Sequence, residues 1–216
     1  MEDPVMDRRT FLASSLALAA LPGMALAAES PLPPPGDLAG KGLMDALKAR
    51  KTGRAFLPDP LPDQLLSDLL WAGFGVSRPD GRRTAPSYRN WQEIDLYATT
   101  AKGLFRYEPK AHALARVGDK DIRALAGKQD FVATAPLNLI YVADFTRMSA
   151  KDDEERRFAA ACDTGFVSQN VYLFCAVNGL STVVRASIDK EALALAMGLK
   201  STQWITLAQT VGYPKP

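Results

Sequence analysis

The clearest hydrophobic period in the chain lies over Pro62–Gly73 (PDQLLSDLLWAG). Leu65, Leu66, Leu69 and Leu70 form one stripe there, proline opens the first turn and glycine ends it, which predicts an amphipathic helix. Leu43–Lys51 predicts another, with Leu43, Met44 and Leu47 at helical spacing and basic residues leading to Gly53. Ser77–Ser87 is rich in Gly, Pro and Arg and reads as a loop. Ile94, Leu96 and Ala98 alternate with polar positions and predict a strand. Gly103–Tyr107 and Leu114–Val117 predict a hairpin across Glu108-Pro109-Lys110-Ala111. A short helix over Asp121–Lys128, a buried strand over Leu137–Ala143 and a long helix over Arg156–Asn178 follow. A strand at Thr182–Val184, a helix at Asp189–Met197 and a closing strand at Trp204–Val211 complete the pattern. Helices and strands interleave without regular βαβ spacing, so the expected fold is α+β with a mostly antiparallel central sheet flanked by helices.

The long helix bears on assembly. From Phe158 to Val177 it is apolar around its circumference, broken only by Asp163, Thr164, Ser168, Gln169 and Asn170. A helix without a polar face is buried on all sides. Either its own sheet wraps it or a partner subunit supplies the second wall. A domain of this size seldom encloses such a helix alone, so a homodimer is expected.

Composition narrows the chemistry. The 216 residues weigh 23.4 kDa, with 47% hydrophobic and 23% charged side chains, as in an ordinary globular domain. Lys+Arg 26 against Asp+Glu 24 leaves a net charge of +2 with no block of like charge, so nothing calls for nucleic acid. One histidine and two cysteines are too few for a His/Cys metal centre. A Ser-His or Cys-His mechanism would have to run through His112, which sits in a predicted turn among alanines and reads as a solvated surface residue. Cys162 and Cys175 fall on one helix, roughly 20 Å apart along its axis, and cannot pair.

The N-terminal region reads as an export address. Asp7-Arg8-Arg9-Thr10-Phe11-Leu12 leads into an uncharged run of 17 residues, Phe11–Ala27, ending Ala25-Leu26-Ala27. Paired arginines before Phe-Leu resemble the twin-arginine signal, which exports folded proteins. An ordinary secretory signal or an uncleaved anchor is the alternative. The expected organisation is a signal over residues 1–27, a proline-rich linker over 28–41 containing Ser30–Asp37 (SPLPPPGD), and one domain over 42–216. The mature protein is expected in the periplasm, without a stable membrane span. Folded export favours a protein that collects a cofactor first.

Arg50-Lys51-Thr52-Gly53-Arg54 places three cations, a hydroxyl and a glycine in five residues. That density suits a phosphate, although basic residues at a helix end also complement the helix dipole. Gly73-Phe74-Gly75-Val76-Ser77-Arg78 lacks the third glycine of a dinucleotide fingerprint and follows a helix, not a strand, so no Rossmann site is expected. Asp152–Glu155 is a charged helix start.

These pieces together resemble the flavin-dependent nitroreductase superfamily. Arg50-Lys51-Thr52-Gly53-Arg54-Ala55-Phe56 is similar to its Arg-x-Ser-x-Arg-x-Phe/Tyr opening, with Thr52 in the serine place. Pro86-Ser87-Tyr88-Arg89-Asn90 is similar to its Pro-Ser-x-x-Asn segment. Gly103-Leu104-Phe105-Arg106-Tyr107-Glu108-Pro109 with His112-Ala113-Leu114 resembles the SagB-type dehydrogenase branch. Gly165–Leu180 resembles the central helix and its Gly-Leu exit, and Val211-Gly212-Tyr213-Pro214 the terminal Gly-Tyr-Pro.

The resemblance implies an intertwined homodimer with FMN at the subunit interface and a two-electron, ping-pong exchange with a small organic substrate. It places Arg50 and Arg54 on the phosphate, beside Lys51, and Thr52 on the ribityl or pyrimidine edge. Pro86, Ser87 and Asn90 would approach from the second subunit. Val183, Val184 and Arg185 would lie near the reactive nitrogen, where a backbone N–H tunes the ring. No side chain need act as a catalytic nucleophile, and no metal is implied. The chain stops at Lys215-Pro216 where many relatives continue, so Lys215 is the candidate for a missing phosphate contact. Export would separate the protein from cytoplasmic NAD(P)H, the usual donor. The expected function is an exported FMN-dependent oxidoreductase. A flavin- or other ligand-binding protein on the same fold, and a structural envelope protein, are the alternatives.

Overall fold

The computed structural model describes residues 29–36 and 42–216. The export signal expected over residues 1–27 lies outside the described residues, as do residues 37–41 of the expected linker.

In chain order the elements are β1 (Glu29–Pro31), α1 (Leu43–Ala49), α2 (Asp63–Phe74), β2 (Ile94–Thr100), β3 (Gly103–Glu108) and β4 (Ala113–Gly118), then β5 (Leu137–Asp144), α3 (Asp153–Val177), β6 (Ser181–Arg185), α4 (Lys190–Met197) and β7 (Gln203–Gly212). The strands form one sheet in the order β1-β4-β3-β2-β5-β7-β6, and every pairing is antiparallel. This is the α+β architecture that the periodicities predict.

The centre of the sheet is covered on both faces. On one, Leu96, Ala98, Leu139 and Tyr141 pack with Leu69 and Leu70 of α2 and Val167 and Val171 of α3. On the other, Tyr97, Ile140, Val142 and Ile205 pack with Leu193 and Met197 of α4. Seven of the eight β5 residues are therefore buried, as a strand with two covered faces requires. β2 follows the same rule, so residues between Ile94, Leu96 and Ala98 are more deeply buried than their alternation with polar positions implies. The expected helix at Asp121–Lys128 is only a single tight turn, Arg123–Ala126, ended by Gly127.

α3 begins at Asp152, whose carboxylate caps Glu155 N–H at 2.8 Å, and carries Asp153, Glu154 and Glu155 in its first turn. The sheet and α2 bury Ala160, Thr164, Val167, Val171 and Cys175, but the opposite face of the helix is open. Phe158 is 68% and Phe166 47% exposed, with exposed Cys162 between them. The expectation of burial on all sides therefore fails within a single protomer, because one sheet can cover only one side of a cylinder.

Two further expectations are corrected. The proline-rich segment is extended, yet it is fastened to the domain. β1 pairs with β4, and the chain beyond it runs along α2. Ser67 Oγ donates to Pro33 O at 2.5 Å, Gln64 Nε2 to Pro34 O at 2.8 Å, and Gly36 N–H to Asp68 Oδ1 at 2.7 Å. His112 is at the centre of this attachment, not in solvent. Its Nδ1 lies 2.8 Å from the buried Tyr107 hydroxyl, and its Nε2 lies 2.9 Å from Pro33 O and 2.8 Å from Ser67 Oγ. The Nε2–H tautomer satisfies the set, with Tyr107 donating to Nδ1 and Nε2–H directed at Pro33 O. The only histidine in the sequence is thus a structural residue.

Candidate functional site

α1 ends at Arg50, whose N–H bonds Ala46 O, and the chain then runs extended beside the free edge of β6. Gly53 N–H donates to Thr182 O at 3.0 Å. A Cβ at Gly53 would strike Ser181 Oγ in its present rotamer, so glycine lets the two segments meet without turning that side chain. Farther on, Leu57 N–H bonds Tyr213 O at 2.9 Å and Lys215 N–H bonds Ala55 O at 3.2 Å. These contacts bring Lys215 to the segment that carries Arg50, Lys51, Thr52 and Arg54. No ion pair among the described residues involves any of the four cations. Lys51, Arg54 and Lys215 are exposed and Arg50 is half-buried.

Tyr172 of α3 joins this segment to β6. Its hydroxyl accepts Val184 N–H at 3.0 Å and lies 3.2 Å from Thr52 Oγ1, to which it can donate its own proton. The Arg50 guanidinium sits 5.5 Å from the ring centroid, within cation–π range. Periodicity alone counted Tyr172 among the apolar residues of α3. A tyrosine in such a helix needs a partner for its hydroxyl, and that was the signal available.

The side chain of Arg185 turns to the other face of the sheet. It is 7% exposed and donates to Thr210 Oγ1 at 2.5 Å, Asn138 Oδ1 at 2.8 Å and Ala126 O at 2.9 Å. No carboxylate among the described residues pairs with it, and burial lowers its pKa to about 10. The guanidinium is committed to the core, so this residue can offer a ligand only its backbone. A Cβ at Gly127 would collide with it, which explains the glycine that ends the Arg123–Ala126 turn.

Pro86, Ser87 and Asn90 are not brought to this cluster within one protomer. Their loop packs on the N-terminal half of α3, where Tyr88 N–H donates to Asp163 Oδ2 at 2.8 Å. Asp163 precedes Tyr172 by nine residues, about 14 Å along the helix. The loop is strained. Arg89, Asn90 and Gln92 have φ of 50°, 57° and 50°, a left-handed conformation that costs about 1–2 kcal/mol for a non-glycine residue. Cross-bonds hold it: Gln92 N–H to Ser87 Oγ at 3.0 Å, Arg83 Nε to Gln92 Oε1 at 2.9 Å, and Gln92 Nε2 to Asn90 Oδ1 at 3.0 Å. Such over-determined strain is a mark of functional segments. Among the described residues no cluster of three His, Cys, Asp or Glu could hold a metal ion, and no helix is long and apolar enough to cross a membrane.

The profile of the Nitroreductase family matches residues 47–213. The chain belongs to the nitroreductase family. A candidate nitroreductase of Methanocaldococcus jannaschii is 32% identical to this family member over 181 residues, 79% of this chain and 90% of that protein. A crystal structure of a candidate nitroreductase from Ralstonia eutropha is 40% identical, covers 86% of this chain and 89% of its own, and superposes with a TM-score of 0.81. A candidate nitroreductase from Desulfovibrio desulfuricans, crystallised in complex with FMN, shares the fold at 19% identity, with 82% and 88% coverage and a TM-score of 0.60. The matched span includes both the Arg50–Arg54 segment and the Pro86–Asn90 loop. Lys215 lies just beyond it.

Replacing Tyr172 by Phe removes one hydroxyl and leaves Val184 N–H and Thr52 Oγ1 without it. The expected loss is about 1–2 kcal/mol of stability, read as a lower urea midpoint at unchanged m-value. A midpoint equal to wild type would mean that the Tyr172 hydroxyl does not join these segments.

Proposed function

We propose that this chain is an exported, FMN-dependent oxidoreductase of the nitroreductase type, acting as a homodimer on a small organic substrate by a ping-pong exchange. The observation that carries the reading is the cluster of Arg50, Lys51, Arg54 and Lys215, without carboxylate partners among the described residues, beside Thr52 and the edge of β6. Four cations without ion-pair partners among the described residues, on one short edge, suit an anion such as a phosphate. Arg50 and Arg54 would hold the FMN phosphate, Lys51 and Lys215 would add positive charge, and Thr52 would meet the ribityl or pyrimidine edge. The flavin would supply two-electron hydride chemistry, which asks no nucleophile of the protein.

The second subunit is motivated by a separate observation. α1 packs on α3, and both present apolar residues to solvent. Leu43, Met44 and Leu47 of α1 are 65%, 63% and 45% exposed, and Phe158 and Phe166 of α3 are exposed as well. Large apolar side chains left open on two packed helices suit an interaction site. A partner seated there would give α3 its second wall and could present its own Pro86, Ser87 and Asn90 to the Arg50 cluster. The SagB-type reading rests on the Gly103–Leu114 hairpin sequence, and periplasmic export on Arg8-Arg9 ahead of the uncharged Phe11–Ala27 run.

Three outcomes follow. Titration of the apoprotein with FMN gives saturable binding, weakened about ten- to a hundredfold by Arg50→Ala or Arg54→Ala, as expected for a charge-assisted hydrogen bond of about 1.5–3 kcal/mol. FAD binds less tightly, and equal FMN affinity in all three proteins would make the arginines mere surface charges. In sedimentation the protein runs as a stable dimer that Phe166→Glu dissociates, while a folded wild-type monomer at low concentration would refute the assembly. Changing Arg8 and Arg9 to Lys strands a precursor in the cytoplasm, and normal processing of that variant would rule out the twin-arginine route.

A further inference from the structure

Behind the strained Ser87–Gln92 loop, two carboxyl groups meet in the core. Glu93 immediately precedes β2 and is fully buried, and Asp163 on α3 is 1% exposed. Their side chains lie within hydrogen-bonding reach of each other. Asp163 Oδ2 accepts the Tyr88 N–H. Neither oxygen of Glu93 makes a hydrogen bond of good geometry among the described residues, and only its own backbone N–H acts on the carboxyl as a donor, more weakly than burial opposes it.

The surrounding charges are committed elsewhere. Arg147, beyond β5, donates to Gln92 O at 3.0 Å and Glu93 O at 2.8 Å and pairs with Asp95 of β2 at 2.8 Å. Asp144 N–H, at the end of β5, also bonds Glu93 O, while its carboxylate accepts from Thr146. Arg83, before the loop, holds the Gln92 side chain. On the solvent side Glu155 of α3 accepts from Tyr88 OH at 3.4 Å and lies 3.8 Å from Arg89. All of these grip the loop or its exit, and none bonds the Glu93 carboxyl.

Two ionised carboxylates in contact, out of water and with no donor between them, repel each other. One proton removes the repulsion and supplies the missing donor. Glu93 is the group to carry it, because Asp163 already accepts a backbone N–H, which favours its ionised form. Burial, with the adjacent Asp163 carboxyl, pushes Glu93 up to about 7 against the downward pull of its own backbone N–H and of Arg147, and burial raises Asp163 as well.

We propose that Glu93 and Asp163 are a positioning pair that shares one proton and, through the Asp163–Tyr88 bond, latches the Ser87–Asn90 loop. When the proton leaves, the carboxylates separate, the Tyr88 bond is lost and the left-handed residues relax. The latch itself needs no ligand. Its consequence for cofactor affinity rests on the FMN reading above.

The sign of the effect is set by the native state holding a proton that the unfolded chain releases at about 4.3, the ordinary glutamate value. Stabilisation by the pair is complete below that value and is lost as pH rises towards about 7. The test uses the flavin-free protein as wild type, Glu93→Gln and Asp163→Asn. Glutamine keeps a donor to Asp163 without titrating, and asparagine keeps an acceptor for Tyr88 while removing the like charge. The wild-type thermal midpoint should fall relative to Glu93→Gln by about 5–10 °C between roughly pH 4.5 and 8. Trypsin cleavage after Arg89 reads the loop directly. Relative to Glu93→Gln, wild-type cleavage should rise up to about tenfold per pH unit above neutrality. Should one variant fail to fold, the other carries the same comparison. Parallel pH curves for wild type and variants, or cleavage indifferent to substitution, would overturn the latch. FMN affinity that falls with pH in wild type but not in Glu93→Gln would link latch and cofactor. Loop release without any FMN binding would refute the flavin reading and leave the latch standing.

Discussion

Helix α3 carries more apolar surface than one sheet can cover, and most of what is distinctive in this protein follows from that excess. The covered face anchors the core through Val167, Val171 and Cys175. The same helix aims Tyr172 at the Arg50 segment and β6, and Asp163 at the Ser87–Asn90 loop. Its uncovered face carries Phe158 and Phe166, and α1, which packs on α3, leaves two leucines and a methionine exposed. A single element therefore sets the interior, spaces the two halves of the candidate site and leaves open the surface by which they could be joined between subunits.

Charge is handled in three different ways around this helix. Arg50, Lys51, Arg54 and Lys215 make no ion pair among the described residues, an arrangement that costs little and leaves them available to an anion. Arg185 is buried without a counter-charge, which is tolerable only because Thr210, Asn138 and Ala126 O accept its protons. Its role is to tie β6 to β5 and β7 beneath the candidate site. Glu93 and Asp163 have neither solvent nor, among the described residues, a cation bonded to their carboxyl groups, so a proton takes the place of a partner. The available cations were used on the backbone of the loop instead, where Arg147 fixes the carbonyls of Gln92 and Glu93.

Much of this was legible in the chain itself. Period and turn chemistry located α2, β3, β4, β5, α4 and β7 to within a few residues, because each is decided by neighbours close in sequence. The Arg50–Arg54 cluster stood out for the same reason, as did the excess apolarity of α3. The docked proline segment did not, since its acceptors are carbonyls that composition cannot distinguish from those of a free linker. His112 was misread because its environment is built by Tyr107, Ser67 and Pro33, two of which are more than forty residues away.

Local pattern thus determined the elements, their buried stripes and the concentration of cations after α1. Tertiary structure alone decided which face of α3 stays open and which tyrosine joins the Arg50–Arg54 segment to β6. It also decided that a glutamate and an aspartate share one buried site. Thr52 and Tyr172 are 120 residues apart, and Tyr88 and Asp163 are 75 apart. Hydrogen bonds between such residues depend on distance and direction in space, set only when the sheet and α3 have packed, and no periodicity along the chain encodes them.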